Sequence, residues 1–595
     1  MNNKDRNRSI TRWTWLGLGA CCAVLAGAVV FWATRPGPDK GETQDPLPGK
    51  MPEVPDGPPW FRDVTAGSGI DFTYRNGEEA NQFTILESLG GGVAMIDYDG
   101  DGLLDLFFTG GGSFDGTQIK GRPCRLYKNL GNFKFRDVTA EVGLDKIDFY
   151  THGCAVADYD RDGWPDLLVT GYGRVALFRN ELHNGRRRFV DVTAAAGLRD
   201  TSWSTSAGWA DLTGSGFPDL YICHYVDWSF ANHPLCKKDT GPDRERDVCP
   251  PQRFKPLIHA LYRNNGDRTF RDVTAEQRLR NDGCGLGVVL ADLDGSGRPS
   301  IYVANDATNN HLYLNRGGGK LEEKGELAGV AVDDNGLYNG SMGVDVGDYD
   351  GSGRASLFVT NFQGELHALY QNLGRELFAY QSRPAGIAAL GRHYVGFGTA
   401  FLDVDNDGWE DLVIANGHVL RRPLGSTLKQ RPVLLRNVAG RGRRVFVDYS
   451  KRGGPSFAIP TVGRGVAVGD LDNDGWPDVV ICNTNSPAVL LRNEAAAGNP
   501  ARWLGIKLVG RGHRDVAGST VILEGKSRKL TRFAKGGGSY LSASDPRLFF
   551  GLGTSETFQR VTVKWAWGQE EHWDNLEPNH YWELREGEAA ARRIK

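Results

Sequence analysis

Asp97-Tyr98-Asp99-Gly100-Asp101-Gly102-Leu103-Leu104-Asp105 decides how the chain is read, because the same pattern is written seven times. It places side-chain oxygens at positions one, three, five and nine, with a glycine at position six for the sharp turn. Such a loop can wrap one hard cation. Calcium takes six to eight oxygen ligands and accepts a backbone carbonyl at position seven. An EF-hand would end in a bidentate Glu at position twelve and lie between helices. Here the last carboxylate comes at nine, between two apolar runs, so the stretch is predicted to be a metal-binding β-turn.

The first ligand positions are Asp97, Asp158, Asp211, Asp292, Asp348, Asp403 and Asp470, 53 to 81 residues apart. Each unit opens with a Gly-rich apolar run such as residues 91–96 or 463–468, then the acidic loop, then a second apolar run such as residues 412–415. A third run carries Leu-Tyr-x-Asn, as at residues 126–129, 261–264, 312–315 and 369–372. A fourth carries Phe-x-Asp-Val-Thr, as at residues 135–139, 189–193 and 270–274. Four short strands repeated at this period predict an all-β fold, a seven-bladed β-propeller over residues 60–499. The seventh unit lacks the fourth motif, and the orphan copy Phe61-Arg62-Asp63-Val64-Thr65 precedes the first loop, so residues 60–65 are expected to close the last blade. From residue 500 the alternation of Trp503–Val509 and Arg560–Trp565 predicts a small β-sandwich-like domain over 500–586, with a charged tail over 587–595.

The seven loops differ in chemistry. Four carry a full carboxylate set: Asp97, Asp99, Asp101 and Asp105; Asp158, Asp160, Asp162 and Asp166; Asp403, Asp405, Asp407 and Asp411; Asp470, Asp472, Asp474 and Asp478. Carboxylates about 4 Å apart repel by roughly 4 kcal/mol per pair at an effective dielectric near 20, so these turns need a cation or protons. Three are weaker: Asp211, Thr213, Ser215 and Asp219; Asp292, Asp294 and Ser296; Asp348, Asp350 and Ser352. Their hydroxyls can also serve metal-free turns. Calcium is the expected ion, about four to seven in all, since magnesium prefers a stricter octahedron.

Strand alternation puts the acidic first-to-second-strand turns on one side of the sheets and the second-to-third and fourth-to-first connections on the opposite side. There His152, His224, Asn305, Asp306, Asn361, His393, Asn416 and His418 gather with aromatic residues as an expected ligand face.

Net charge is −3, which argues against a nucleic-acid partner. Residues 1–12 are basic, and the nearly uncharged run of residues 13–33 is expected to be a signal anchor or transmembrane helix tethering the chain to a membrane. Cleavage after Ala26-Gly27-Ala28 would make it a signal peptide, and Leu18-Gly19-Ala20-Cys21 faintly resembles a lipobox. Residues 34–59 read as a Pro-rich linker. Each option leaves the bulk of the chain extracytoplasmic, where Cys236 and Cys249 are expected to pair. The remaining strand cysteines read as core residues, and no CxxC occurs.

These motifs resemble FG-GAP/VCBS repeats. Residues 503–506, Gly538-Ser539-Tyr540-Leu541-Ser542, residues 544–553 and residues 561–565 resemble an ASPIC/UnbV domain. The layout is similar to that of the cartilage acidic protein family; Trp565-Ala566-Trp567-Gly568 departs from its usual Trp-Pro-Ser-Gly. The resemblance implies an extracytoplasmic calcium-binding scaffold and brings no established reaction. Three functions stay open: a binding or adhesion scaffold holding a glycan or protein, a lyase- or dehydratase-like enzyme using the His, Asn and Asp residues of the ligand face, and a structural part of an envelope complex. No nucleophile elbow, HExxH or Walker loop supports the enzyme, and Gly525-Lys526-Ser527 lacks the required upstream glycine.

Overall fold

A computed structural model describes residues 54–237, 245–554 and 557–594. Among them the four-strand unit recurs as seven antiparallel sheets, six of which pair their four strands in sequence order while the seventh takes its outer strand from the start of the repeats. The first two strands of the units are the most deeply buried: Gly285–Ala291 and Gly396–Leu402, like Ser300–Asn305 and Asp411–Asn416, are buried at every position. That is why these runs are apolar without alternation. The last strands are short, and Phe135–Asp137 and Phe270–Asp272 bury only their phenylalanines. The Asp-Val-Thr that follows stops the strand. Asp137 Oδ1 accepts the Thr139 N–H at 2.9 Å, while the Thr139 hydroxyl oxygen accepts the Leu126 N–H at 2.9 Å. In the seventh sheet, Gly463–Gly469, Asp478–Asn483 and Val489–Asn493 are joined by Phe61–Asp63, which pairs antiparallel with Leu491–Asn493.

Two expectations need correction. The seven-bladed propeller was expected as a closed body, yet each sheet is separate and open, and none closes on itself or merges into one barrel. The reason is local: hairpin-linked strands satisfy most of their backbone groups within each unit, and single backbone and side-chain bonds, not a continuous ladder, link one unit to the next. The transmembrane helix is not carried further either. Residues 13–33 lie outside the described residues, and among those described no helix is long and apolar enough to cross a membrane.

The asparagine of Leu-Tyr-x-Asn makes one recurring set of links between units, beside backbone bonds such as Phe135 N–H to Ser68 O and Phe270 N–H to Ala196 O. Asn180 Nδ2 donates to the Tyr98 carbonyl of the preceding acidic loop at 2.8 Å. Asn264, Asn315, Asn372, Asn437 and Asn493 do the same to Tyr159, Leu212, Leu293, Tyr349 and Val404. Asn129 of the first sheet reaches Leu471 of the seventh-sheet loop at 2.8 Å.

The C-terminal part is a pair of four-stranded sheets packed over Leu504, Ile506, Val521, Phe550, Val563, Trp565 and Leu584. Arg502–Val509 and Tyr581–Arg585 run parallel in it. The expected charged tail supplies a further strand, Arg592–Ile594, on Tyr581–Glu583.

Residues 536–545, whose glycines read from sequence as turns, leave this sandwich and touch the opening strand of all seven repeat sheets. Gly536 and Gly537 pair with Leu290 and Val289. Ser539 O accepts the Val344 N–H at 3.0 Å, Leu541 O accepts the Cys154 N–H at 3.0 Å, and Leu541 N–H donates to Ser206 Oγ at 2.9 Å. The Ser539 hydroxyl donates to Val466 O at 2.8 Å, Ala543 exchanges backbone bonds with Val93 and Met95, and the Tyr540 ring lies 4.9 Å from Phe397. A Cβ at Gly536 would stand 1.8 Å from the Trp209 carbonyl oxygen, so no other residue fits there.

Candidate metal centres

Each acidic turn is built by its first carboxylate folding back on the loop's own N–H groups. Asp403 Oδ1 accepts from Asp407 N at 3.0 Å and Oδ2 from Gly408 N at 2.8 Å. Asp158 and Asp470 repeat this with residues 162–163 and 474–475. The ninth-position carboxylate is also a structural acceptor. Asp105 takes the Tyr98 N–H at 3.2 Å and the Asn129 N–H at 2.7 Å, tying loop to third strand. Asp166, Asp219, Asp411 and Asp478 do the same, and Ser300 and Ser356 take the strand bond in the fourth and fifth loops.

Four groups of carboxylates converge, each offering oxygens within 4.8 Å of one another: Asp97, Asp99 and Asp101; Asp158, Asp160 and Asp166; Asp403, Asp405 and Asp411; Asp470, Asp472 and Asp478. In each, the third-position side chain keeps a buried oxygen without a hydrogen-bond partner: Oδ1 of Asp99, Asp160, Asp405 and Asp472. An orphaned buried carboxylate oxygen is costly, and a cation would satisfy it. Burial holds protons on the neighbouring groups. The Asp105 carboxyl is pushed up to about 8, and Asp158 and Asp470 to about 7, with nearby carboxylates adding to the desolvation of Asp105 and Asp158. Asp166, Asp411 and Asp478 rise well above the usual range for the same reasons.

The weaker loops divide. Asp211 spends its carboxylate on the N–H groups of Thr213, Gly214, Ser215 and Gly216 and leaves no orphan. The fourth and fifth loops do leave orphans: Ser296 Oγ, Asp348 Oδ1 and Ser352 Oγ.

A feature not singled out from sequence is the variable residue of Leu-Tyr-x-Asn. Lys128 pairs with Asp99 and with Asp101, the latter at 3.1 Å. Arg436 pairs with Asp405 at 2.6 Å and Asp407 at 3.1 Å, and Arg492 with Asp472 at 2.9 Å and Asp474 at 3.3 Å. In the second loop Arg268 takes this place, 3.0 Å from Asp160. The base meets one oxygen of the third-position carboxylate and leaves the other to the loop interior. The signal was present in sequence only in part: Lys128, Arg436 and Arg492 hold this position beside full carboxylate sets, but Arg179 in the second unit pairs with Glu181, and Arg263 holds it beside the weak third loop.

The expected ligand face is largely buried. His152, Asn305, Asn361, Asn416, His418 and His224 are at most 3% exposed. His152 accepts the Trp203 indole N–H at 2.9 Å, and burial lowers its imidazole to about 3. His224 is held between Asp200 at 2.6 Å and Ile258 O, and His418 meets Gln363 Oε1 at 2.9 Å. Asn305, Asn361 and Asn416 donate to the carbonyls of Asn309, Leu366 and Arg431. Only His393 is exposed, and Asp306, which accepts the Tyr225 hydroxyl at 2.5 Å, is partly so.

Three segments roof this face. Arg421 reaches Glu87 at 2.5 Å and Asn81 at 3.0 Å, and its N–H donates to Asp247 at 3.0 Å. Asp247 belongs to the insert closed by the Cys236–Cys249 disulfide, whose Cα atoms are 5.2 Å apart. His233 of that insert meets the Gln82 carbonyl at 3.2 Å. Sequence could place these residues on one side of the sheets, but it could not show that they lie under the chain's own loops.

Residues 97–169, 158–222, 292–359 and 403–481 match the FG-GAP-like repeat, and residues 510–591 match the family described as ASPIC and UnbV. The chain is thus an FG-GAP-repeat protein with a C-terminal ASPIC/UnbV domain. It is homologous to the cartilage acidic protein family. Cartilage acidic protein 1 of Homo sapiens is 26% identical over 500 residues, covering 80% of this chain and 69% of that protein. The Mus musculus protein is 25% identical, with 80% and 70% covered. Among solved structures, the BP39L lectin from Burkholderia pseudomallei aligns at TM-score 0.39 and 10% identity, over 68% of this chain and 95% of that one. An Agrocybe aegerita lectin, described as recognising non-reducing terminal N-acetylglucosamine, aligns at TM-score 0.35 and 18% identity, over 60% and 79%. At these TM-scores neither likeness carries an argument about this chain.

Proposed function

We propose that this protein is an extracytoplasmic binding scaffold stiffened by calcium, which holds a glycan or protein on the side opposite the acidic turns. The observation that carries the calcium reading is the repeated orphan: four converging carboxylate groups, each with a buried third-position oxygen that no protein donor meets. All donors are hard oxygens on short flexible loops, which suits calcium better than a soft or strictly octahedral metal. The same criterion admits the fourth and fifth loops as weaker sites and leaves the third metal-free. The disulfide supports an oxidising compartment.

Equilibrium dialysis of the chelator-stripped protein should give at least four calcium ions per chain, and Asp403→Ala should remove one. Unchanged stoichiometry in that variant would sink the assignment. For the opposite side, support comes from Leu337, Tyr338 and Leu424, which are 53 to 62% exposed there, beside the solvent-reaching His393 and Asp306. A glycan array probed with native protein and with Tyr338→Ala should show loss of whatever hits the native chain gives. Hits that survive the substitution would place the partner elsewhere.

A further inference from the structure

The hairpin Val175–His183 and Arg186–Asp191 of the second sheet turns through Asn184 and Gly185, both with positive φ (50° and 76°). Its outer strand has six residues, where Phe135–Asp137 and Phe270–Asp272 have three. The overhang walls a cleft of about 850 Å³ against residues 140–149. That volume lies in the range of small-ligand sites.

The cleft is cationic in a chain whose net charge is −3. Lys146, Arg174, Arg186, Arg187 and Arg188 line it. Arg174 is neutralised by Asp148 and Asp191, at 3.3 and 3.0 Å. Among the described residues, no carboxylate pairs with Lys146, Arg186 or Arg188, and Arg187 stacks 3.4 Å over the Trp164 ring instead. Of the lining acids, Glu141 is taken by Arg136, leaving Asp145 as the opposing charge. Arginines on an edge strand also discourage strand-to-strand aggregation, but that role needs no concavity and no lysine on the facing wall.

We propose that this cleft binds an anionic oligosaccharide through Arg186, Arg188 and Lys146. Guanidinium groups pair with carboxylate and sulfate oxygens in bidentate fashion, and the half-buried Phe149, whose ring also carries the Arg174 guanidinium 5.5 Å away, adds apolar surface to the cleft wall. An acidic peptide added as a further strand is disfavoured, because the Phe189 N–H at the middle of the strand edge already donates to Val142 O at 2.8 Å. The site is separate from the roofed face but borders the second acidic turn, where Arg187 stacks on Trp164 and faces Asp162 and Asp166; Arg186, Arg188 and Lys146 make no ion pair with that turn.

The test is calorimetric titration of the full chain, in calcium, with a heparin hexasaccharide and with a galacturonate hexamer. At least one probe should bind, more weakly as salt rises. Arg186→Glu with Arg188→Glu should weaken binding by ~10-fold or more. Arg186 is exposed and Arg188 half-buried, and neither makes an ion pair among the described residues, so the melting temperature should move little. The control is Arg441→Glu with Arg443→Glu, exposed on another basic hairpin, which should change binding by less than ~2-fold. The proposal falls if neither probe binds, if both charge reversals weaken binding equally, or if a single-stranded oligonucleotide binds as tightly through the same arginines.

Discussion

Leu541→Asp should leave the chain unable to reach its native state. Leu541 is fully buried, among opening strands of several sheets, and its backbone bonds Cys154 and Ser206. A Cβ on Gly153 would already stand 3.0 Å from the Leu541 side chain, so the pocket has no room for a hydrated carboxylate. Burying one unpaired charge costs more than ~4 kcal/mol, a large part of an ordinary domain's stability. The expected readout is loss of soluble, cooperatively melting protein. Tyr540→Ala is the graded version: its ring packs on Phe397, and deleting a buried aromatic costs about 3–5 kcal/mol. That variant should fold and melt well below native. If both variants melt within a degree of native, the segment merely lies against the sheets and does not hold them.

This segment also shows where sequence reading reached its end. Small residues such as Gly536, Gly537, Gly538 and Ser539 are ordinary turn formers, and local propensity reads them so. Their actual reason is long-range. Gly536 is glycine because the Trp209 carbonyl stands where a Cβ would be, and Ser539 and Leu541 hold positive φ of 59° and 55° because seven strands fix them. Nothing within ten residues of Gly536 encodes that. The acidic turns were legible for the opposite reason: their bonds run from Asp403 to Asp407 and Gly408, within a single loop. The asparagines of Leu-Tyr-x-Asn stand between these cases. Their recurrence was visible, but their partner lies in the preceding unit, 82 residues back for Asn180 and Tyr98. The His and Asn residues of the opposite side failed as an open platform because three sequence-distant segments, joined through Arg421 and Asp247, roof them.

Calcium should stabilise the protein strongly at pH 8 and weakly at pH 5. In the ion-free chain Asp105 protonates near 8 and Asp158, Asp348 and Asp470 near 7, against 3.8 for the ordinary carboxyl. A raised folded-state value means that the folded chain binds more protons than the unfolded one. Its stability is therefore full below pH 4 as far as these groups go, and is lost as pH rises through 7 to 8. Buried histidines act in the other direction: His152 is lowered to about 3 and His367 and His418 to about 4, so their contribution is present above pH 6.5 and lost as pH falls. The histidines are common to ion-free and calcium-loaded protein, so they cancel when the two melting temperatures are subtracted. What remains is the carboxylate term. Calcium competes with the protons on those groups, and its stabilisation grows with free concentration over the dissociation constant. At pH 8 and millimolar calcium the difference should be about 10 °C, falling by at least half at pH 5. Asp403→Ala should shrink the pH 8 difference while leaving the pH 5 value nearly unchanged. A calcium increment that is flat from pH 5 to pH 8 would mean that the ion binds away from the buried carboxylates.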